Sequence, residues 1–364
     1  MRLLGQLIGL FTFDVGYEID LTRTQALVSE GERETTTSRR RAAPAHLAYA
    51  TPPVRAPLGT REVRVGSTIV TATASARIHE FGAVTILLQS PLDCALEALP
   101  ELTSTLAGVG PMEIAARELL ERLHERIRPT VTKPGLNPFV EDYYVIQVDR
   151  LEPPATIPEL LAQGRRILAS ALRCEASPLS DAETDEVFRT QLSYYPDDLV
   201  VTEWNVALVI DDVDFADTVN VLEYLNVQLL ELRFYDDVLE RYMAETFALA
   251  TKRRTPGLPL LHRPYRRAVT ELAAIRMDVA GIIERVHNAL KLSGDLYLAK
   301  LYGRTAERLA LRAWEESVGR KLDVLQQIHD LLHERVTTAR GEALEVIIIL
   351  LIALEIVLFL VGRG

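Results

Sequence analysis

The stretch FGAVTILLQ (Phe81–Gln89) decides the fold, because it is almost continuously apolar over the length of one strand. A short apolar run of this kind is typical of a strand buried on both faces of a sheet. Further strand-like runs precede and follow it, at Leu7–Phe13, Arg61–Ala72, Tyr143–Val148 and Leu199–Ile210. Helices are predicted between these runs, one opened by Pro111 and one near Ile157–Leu172 opened by Pro158. The overall prediction is an α+β fold whose mixed α/β domain covers residues 1–212.

One part of this domain lacks strand or helix periodicity. Glu30–Arg41 is polar, and Pro44–Gly59 contains four prolines, Pro44, Pro52, Pro53 and Pro57. Such a composition predicts a long, flexible loop over residues 30–60.

After Asp214 the strand signals end and apolar residues recur at helical spacing. The recurrent positions in three successive segments are Leu222, Leu225, Leu229, Leu232, Leu239 and Met243; Val269, Leu272, Val279, Ile283, Val286 and Leu290; and Leu311, Trp314, Val318, Leu325, Ile328 and Leu332. These stripes predict three long helices over residues 213–340 that pack at coiled-coil-like angles. Thr255-Pro256-Gly257 breaks the first from the second, which predicts an antiparallel hairpin.

The chain ends in an apolar segment. Ala343–Val361 contains only two polar residues, Glu345 and Glu355, and as a helix it would measure roughly 28 Å. This predicts a transmembrane tail at residues 341–364, the alternative being a helix buried in the core of an oligomer. Arg335 and Arg340 precede the segment and Arg363 follows it. That weak bias predicts a single-pass protein of the cell (inner) membrane with its soluble domains in the cytoplasm.

Two carboxyl groups inside a bilayer would make insertion of the helix into the membrane less favourable. We therefore single out Glu345 and Glu355 as candidate functional residues. An ionised carboxylate near the bilayer midplane costs on the order of 3 kcal/mol, and Glu355 is therefore expected to be protonated or paired within a helix bundle. Pairing within a bundle favours a homo-oligomer.

The net charge of −11 argues against a broad phosphate-binding face and so against specific DNA binding. A basic cluster is nevertheless present between the first two predicted helices, formed by Lys252, Arg253, Arg254, Arg263, Arg266 and Arg267. It is interpreted as a solvated loop, or as a site for anionic lipid, a protein partner, RNA or the ribosome.

Asp236 and Arg276 are the charged positions within the two apolar stripes of the predicted hairpin. They lie equally far from the turn near Pro256, and we therefore predict a salt bridge between them that fixes the helix register. An arginine fork suits a carboxylate because it donates two parallel hydrogen bonds.

Two other constellations are weighed against simpler interpretations. His329 and His333 are spaced as metal ligands would be, but they lie beside the apolar stripe of the third helix, which favours a solvated face. Asp211, Asp212, Asp214 and Asp217 form an acidic group that resembles a cation site, although helix capping by Asp214 explains it better. Neither is adopted as a metal site.

Three blocks carry a family resemblance: YLNVQLLELRFYDDVLE (Tyr224–Glu240), ALKLSGDLYLAKLY (Ala289–Tyr302) and LEVIIILLIALEIVLFL (Leu344–Leu360). Together with FGAV at Phe81–Val84, they resemble the YagE family, which includes the mitochondrial protein named "required for meiotic nuclear division". The resemblance implies an α/β domain, a helical region and a C-terminal membrane helix. It implies no catalytic residues.

No phosphate-binding glycine motif and no GxSxG motif is present, so the sequence predicts no cofactor and no enzymatic activity. The expected function is that of a membrane-tethered cytoplasmic scaffold or adaptor, with membrane lipid and further copies of itself as partners. One alternative is a membrane-bound, metal-dependent hydrolase that uses His329 and His333. Another is a membrane-tethered ribosome- or RNA-binding factor that supports translation.

Overall fold

The computed structural model describes residues 1–28, 32–33, 47–49, 51–211, 213, 215–251, 277, 279, 281, 290–292 and 296–361. The chain forms two compact units. The first, here called the sheet unit, comprises Met1–Arg233 and Glu284–Ala313. The second, here called the helical unit, comprises Phe234–Ile283 and Trp314–Gly364. The sheet unit therefore extends past residue 212, where the sequence placed the end of the α/β domain.

The sheet unit is built on one large sheet. Its strands are β1 (Arg2–Asp14), β3 (Glu32–Arg33), β5 (Val54–Val65), β6 (Thr68–Ile78), β7 (Ala83–Ala95), β9 (Glu141–Glu152), β10 (Leu199–Thr202) and β11 (Val206–Ile210). Their order is β10-β11-β9-β1-β7-β6-β5-β3. Two small pairs join β2 (Glu18–Ile19) to β8 (Val131–Thr132), and β4 (Leu47–Tyr49) to β12 (Leu290–Leu292).

The central strands are covered on both faces, as the apolar run at Phe81–Gln89 predicted. β7 pairs antiparallel with β1 over its whole length, and β1 pairs antiparallel with β9 on its other side. Alternate residues point to opposite faces. Leu7 and Phe11 of β1 lie in the main hydrophobic core on the first face, whereas Leu10 and Thr12 are buried on the second.

Helices pack on the first face. They are α1 (Leu21–Leu27), α2 (Leu99–Ser104), α3 (Pro111–Ile127), α4 (Ile157–Leu172) and α5 (Asp181–Val187). α4 begins where the sequence predicted, because Thr156 accepts a hydrogen bond from the Glu159 amide and Glu159 accepts one from the Thr156 amide. This reciprocal capping box satisfies two amides that the first turn leaves free.

The second face is covered by the beginning of α6 (Phe215–Thr251) and by α7 (Leu296–Arg308). Gln228 of α6 accepts a hydrogen bond from the Tyr302 hydroxyl of α7 at 2.8 Å. Thr305 of α7 is bonded to Thr202 of the sheet at 3.2 Å. Between residues 219 and 232, α6 is buried on all sides, so its apolar stripe is part of a protein interior rather than one seam.

The helical unit contains the second part of α6 and most of α8 (Leu311–Val361). Leu239, Val279, Val318 and Leu325 are completely buried in it. All four were predicted as stripe positions. Asp236 of α6 bonds Ser317 and Lys321 of α8 across this unit.

The described residues correct several expectations. The predicted strand Arg61–Ala72 is a hairpin, because the chain turns at Gly66 with φ of 58°. The predicted strand Leu199–Ile210 is likewise two antiparallel strands, β10 and β11. The predicted flexible loop ends early, since β5 begins at Val54 and accommodates Pro57 beside a bulge.

The helical region also differs from the prediction. The third predicted helix is two helices, because the chain changes direction at Ala310, whose φ is 50°. The second of them, α8, continues into the tail without a break. Strand pairing does not end at Asp214, since β12 pairs with β4. Of the second predicted helix, the structure describes only residues 277, 279 and 281 as helical.

Candidate functional site

The most exposed apolar surface of the described chain is a segment of α8. Its members, residues 347–356, are here called the apolar segment; Ile347, Ile348, Ile349, Leu350, Leu351, Ile352, Leu354 and Ile356 are each between 49% and 63% exposed. Because successive helical residues are rotated by about 100°, the six residues from 347 to 352 cover the whole circumference. No side of the helix is packed there.

A helix on the surface of a globular protein exposes a polar face and buries an apolar stripe. The apolar segment has no polar face, apart from Glu355 near its end. Large exposed apolar patches on proteins mark sites that bind lipid, ligands or other proteins. Within the described residues, no helix is both long and apolar enough to cross a bilayer.

Glu345 and Glu355, predicted as the polar residues of the tail, are both exposed on α8. Glu345 lies two residues before the apolar segment and Glu355 lies within it. The spacing of ten residues places the two carboxyl groups about 15 Å apart along the helix axis.

Asp236, predicted to pair with Arg276, has partners on α8. Its carboxylate lies 3.0 Å from the Lys321 ammonium group and accepts a hydrogen bond from Ser317 at 2.8 Å. Lys321 also lies 3.0 Å from Glu240, one turn further along α6. Burial lowers the pKa of Lys321, but the two carboxylates outweigh it and raise the pKa. Arg276 is outside the described residues, so its pairing stays a prediction.

Other predicted site residues fall wholly or partly outside the described part of the chain. They are the basic cluster Lys252, Arg253, Arg254, Arg263, Arg266 and Arg267, the side chains of His329 and His333, and Asp212 and Asp214. Asp217 lies in the first turn of α6, as capping predicted, and is buried. Among the described residues, no group of three or more candidate ligands is arranged to hold a metal ion.

A buried charged group that the sequence analysis missed lies between the second face of the sheet and α6. Glu223 of α6 is fully buried, 2.9 Å from Nε2 of His79 and 3.5 Å from Nη1 of Arg77. Burial alone would raise the pKa of Glu223. His79, Arg77 and a hydrogen bond from Thr85 outweigh it and lower the pKa to about 2.

The polar contacts continue along α6. Asn226 donates hydrogen bonds to the Thr12 hydroxyl at 3.1 Å and to the Glu141 carbonyl at 2.9 Å. The Glu141 carboxylate accepts a hydrogen bond from Arg233 at 2.5 Å. Burial raises the pKa of Glu141 to about 7 against the influence of Arg233. These contacts, with those of Glu223, are here called the polar layer.

The polar layer holds α6 against the sheet at several points, because Glu223 contacts β6, Asn226 contacts β1 and β9, and Arg233 contacts β9. Glu223, Arg77 and His79 are buried and paired with one another, which suits the positioning of α6 on the sheet. The sequence offers one signal for these buried polar residues, because Glu223, Asn226 and Glu231 stand between apolar residues of a predicted helix. The same pattern is equally typical of a solvent-exposed polar face.

These features define a mixed α+β protein with a large N-terminal sheet, whose last helix exposes apolar residues on all sides. The chain matches the family model described as "Uncharacterized protein MJ0711, N-terminal domain" over residues 4–216. The match covers more than half of the chain, and the protein therefore belongs to this family. The matched region begins within β1, contains β2 to β11 and ends within the first turn of α6.

The resemblance to the YagE family is accordingly wrong, and the family model is the finding that overturns it. A curated relative is "Uncharacterized protein MJ0711" of Methanocaldococcus jannaschii, which is 24% identical over 244 residues. That alignment covers 67% of this chain and 73% of the relative. No solved structure matches the chain.

Proposed function

We propose that this protein is a membrane-tethered, non-enzymatic scaffold, held to the lipid bilayer by the C-terminal part of α8. The observation that carries the proposal is the apolar segment, which is exposed around the whole helix. In the lipid bilayer, apolar side chains can be exposed on all sides of a helix without contact with water. The helix also satisfies its own backbone hydrogen bonds there. The apolar sequence continues on both sides of the segment, from Leu344 to Val361.

The orientation follows from charge. Arg335 and Arg340 precede the apolar stretch and Arg363 follows it, a bias that favours a cytoplasmic position for the sheet unit. In this arrangement the sheet unit is the part presented to a partner in the cytoplasm. The polar layer supports that role because it holds the helix that leads out of the sheet at several points.

The experiment compares the full chain with a variant that lacks residues 341–364, both expressed in cells and separated into membrane and soluble fractions. The full chain is expected in the pellet after a carbonate wash, and the shortened chain in the supernatant. Circular dichroism of the shortened chain checks that the sheet unit still folds. A shortened chain that stays with washed membranes would show that the tether lies elsewhere.

The competing explanation for the apolar segment is contact between copies of the chain. In that case carbonate would release the full chain from membranes as a large assembly, visible by light scattering without detergent. This result would overturn the membrane tether.

A further inference from the structure

One polar side chain, that of Glu355, interrupts the apolar segment of α8. Glu355 is exposed and makes no hydrogen bond or ion pair with any residue that the structure describes. Along the helix axis it lies about 16 Å from Leu344, roughly half the thickness of the hydrocarbon core of a bilayer. A tether that inserts from Leu344 to Val361 therefore carries a carboxyl group near the middle of the membrane.

Lipid tails cannot satisfy this carboxyl group. An ionised or unpartnered polar group is costly in hydrocarbon, and polar residues within membrane helices pair with one another. Long lysine and arginine side chains can extend to the membrane surface, but the glutamate side chain is too short to do so from the middle of the bilayer. The carboxyl group of an inserted α8 therefore needs a hydrogen-bond partner inside the membrane.

Glu355 continues an apolar face of the helix. Ile348 and Leu351 precede it at intervals of three and then four residues, which is the spacing of a seam between two helices. Together with Ile352 they lie within about 60° of Glu355 around the helix axis. Ile348, Leu351 and Ile352 are 54%, 59% and 52% exposed, so the described chain leaves them uncovered. These three residues and Glu355 are here called the Glu355 face.

The chemistry of Glu355 favours a second copy of this chain as the occupant of the Glu355 face. A protonated carboxyl group both donates and accepts hydrogen bonds, so it is complementary to an identical group. Copies tethered by the same helix enter the membrane in the same direction, and they therefore place Glu355 at the same depth. A two-fold axis between two copies brings the face of one against the same face of the other. A single polar residue in an apolar seam also specifies the register and the number of helices.

We propose that two copies of α8 associate within the bilayer through the Glu355 face, with hydrogen bonds between the two Glu355 carboxyl groups. This inference rests on the proposed membrane tether and adds a partner to it, a second copy of the chain. The apolar residues of the face supply close packing, which drives the association of helices where lipid tails are as apolar as leucine. The two carboxyl groups supply the specificity. The scaffold is accordingly a dimer in the membrane.

The test is sedimentation equilibrium of the full chain in detergent micelles whose density matches that of the solvent. The parent chain, of 40.7 kDa, is expected to sediment with twice this mass. Glu355→Leu should raise the dissociation constant of the dimer about tenfold, because it removes the hydrogen bonds between the helices. Glu355→Gln should retain the dimer, since an amide also donates and accepts. Leu351→Ala should weaken the dimer, whereas Leu350→Ala, about 140° from Glu355 around the helix, should not.

A parent chain that sediments as a monomer would overturn the pairing and leave the Glu355 face to lipid or to another protein. An unchanged dissociation constant in Glu355→Leu would also overturn it, and so would a Leu350→Ala variant weakened as much as Leu351→Ala. Liposome flotation separates this failure from failure of the tether, because the parent chain and Glu355→Leu should both float. A parent chain that floats but is monomeric in micelles refutes the pairing alone. One that does not float refutes the tether, and the pairing with it.

Discussion

Replacing Glu223 by alanine should destabilise the sheet unit strongly. The variant leaves Arg77, whose side chain is 7% exposed, without its buried carboxylate. Removing one partner of a buried ion pair typically costs about 3–5 kcal/mol. The pKa leads to a similar figure: a value of about 2 in the folded protein, against an ordinary 4.5, corresponds to about 3 kcal/mol at neutral pH.

The sign of the pH dependence follows from the lowered pKa. The stabilisation by Glu223 is fully present above the unfolded-state pKa near 4.5 and is lost as the pH falls towards 2. The difference in unfolding free energy between the parent and Glu223→Ala should therefore shrink below pH 5. An exposed pair provides the matched control: Arg2 and Asp93 are 2.6 Å apart with side chains 56% and 54% exposed. Asp93→Ala should cost about 0–1 kcal/mol.

The assay is urea unfolding followed by the fluorescence of Trp204, which lies in the sheet unit. Trp314→Phe in the parent and all variants removes the signal of the helical unit. If Glu223→Ala cost no more than Asp93→Ala at pH 7, the polar layer would not be what fixes α6 on the sheet. A loss that stayed constant from pH 7 to pH 4 would likewise contradict the ionised state of Glu223.

Three further predictions concern stability. Burial raises the pKa of Glu141 to about 7. The protonated carboxyl group therefore stabilises the folded state below the unfolded-state pKa, and this stabilisation is lost as the pH rises through 7. Glu141→Gln should flatten the decline in unfolding free energy between pH 5 and pH 8, and an unchanged slope would argue against this assignment. A double-mutant cycle on Asp236→Ala and Lys321→Ala, measured by denaturant unfolding, should give a coupling free energy of about 0.5–3 kcal/mol. Additive losses of unfolding free energy would show that the two side chains do not stabilise each other. Gly82→Ala should destabilise far more than Gly66→Ala, because a Cβ at Gly82 would lie 1.7 Å from a backbone oxygen while Gly66 has open space; equal melting temperatures would contradict this.

Parts of the fold were predictable because local chemistry determines them. α4 was predicted at Ile157–Leu172, where Thr156, Pro158 and Glu159 form a complete helix start. Phe81–Gln89 was predicted as a doubly buried strand, and β7 occupies a position between two other strands. In these cases the signal lies within a few residues of the element, so no distant contact was needed.

Other features depend on contacts that one sequence does not display. The Arg61–Ala72 stretch has strand-forming residues on both sides of Gly66, and only the positive φ at that glycine separates two strands. Glu223 is paired in the interior because Arg77 of β6 and His79, which directly follows β6, contact it from far away in the sequence.

Flotation of the purified full chain with liposomes tests the membrane tether most directly, using one substitution in the apolar segment and one outside it. Leu350 is 63% exposed in α8 and Ile69 is 62% exposed in the sheet unit, which makes Leu350→Arg and Ile69→Arg a matched pair. An arginine in the middle of a membrane helix costs about 3 kcal/mol, enough to lower partitioning about a hundredfold. We predict that the parent chain and Ile69→Arg float with the liposomes and that Leu350→Arg remains at the bottom. A parent chain that stays at the bottom, or a Leu350→Arg variant that floats like the parent, would contradict the membrane tether.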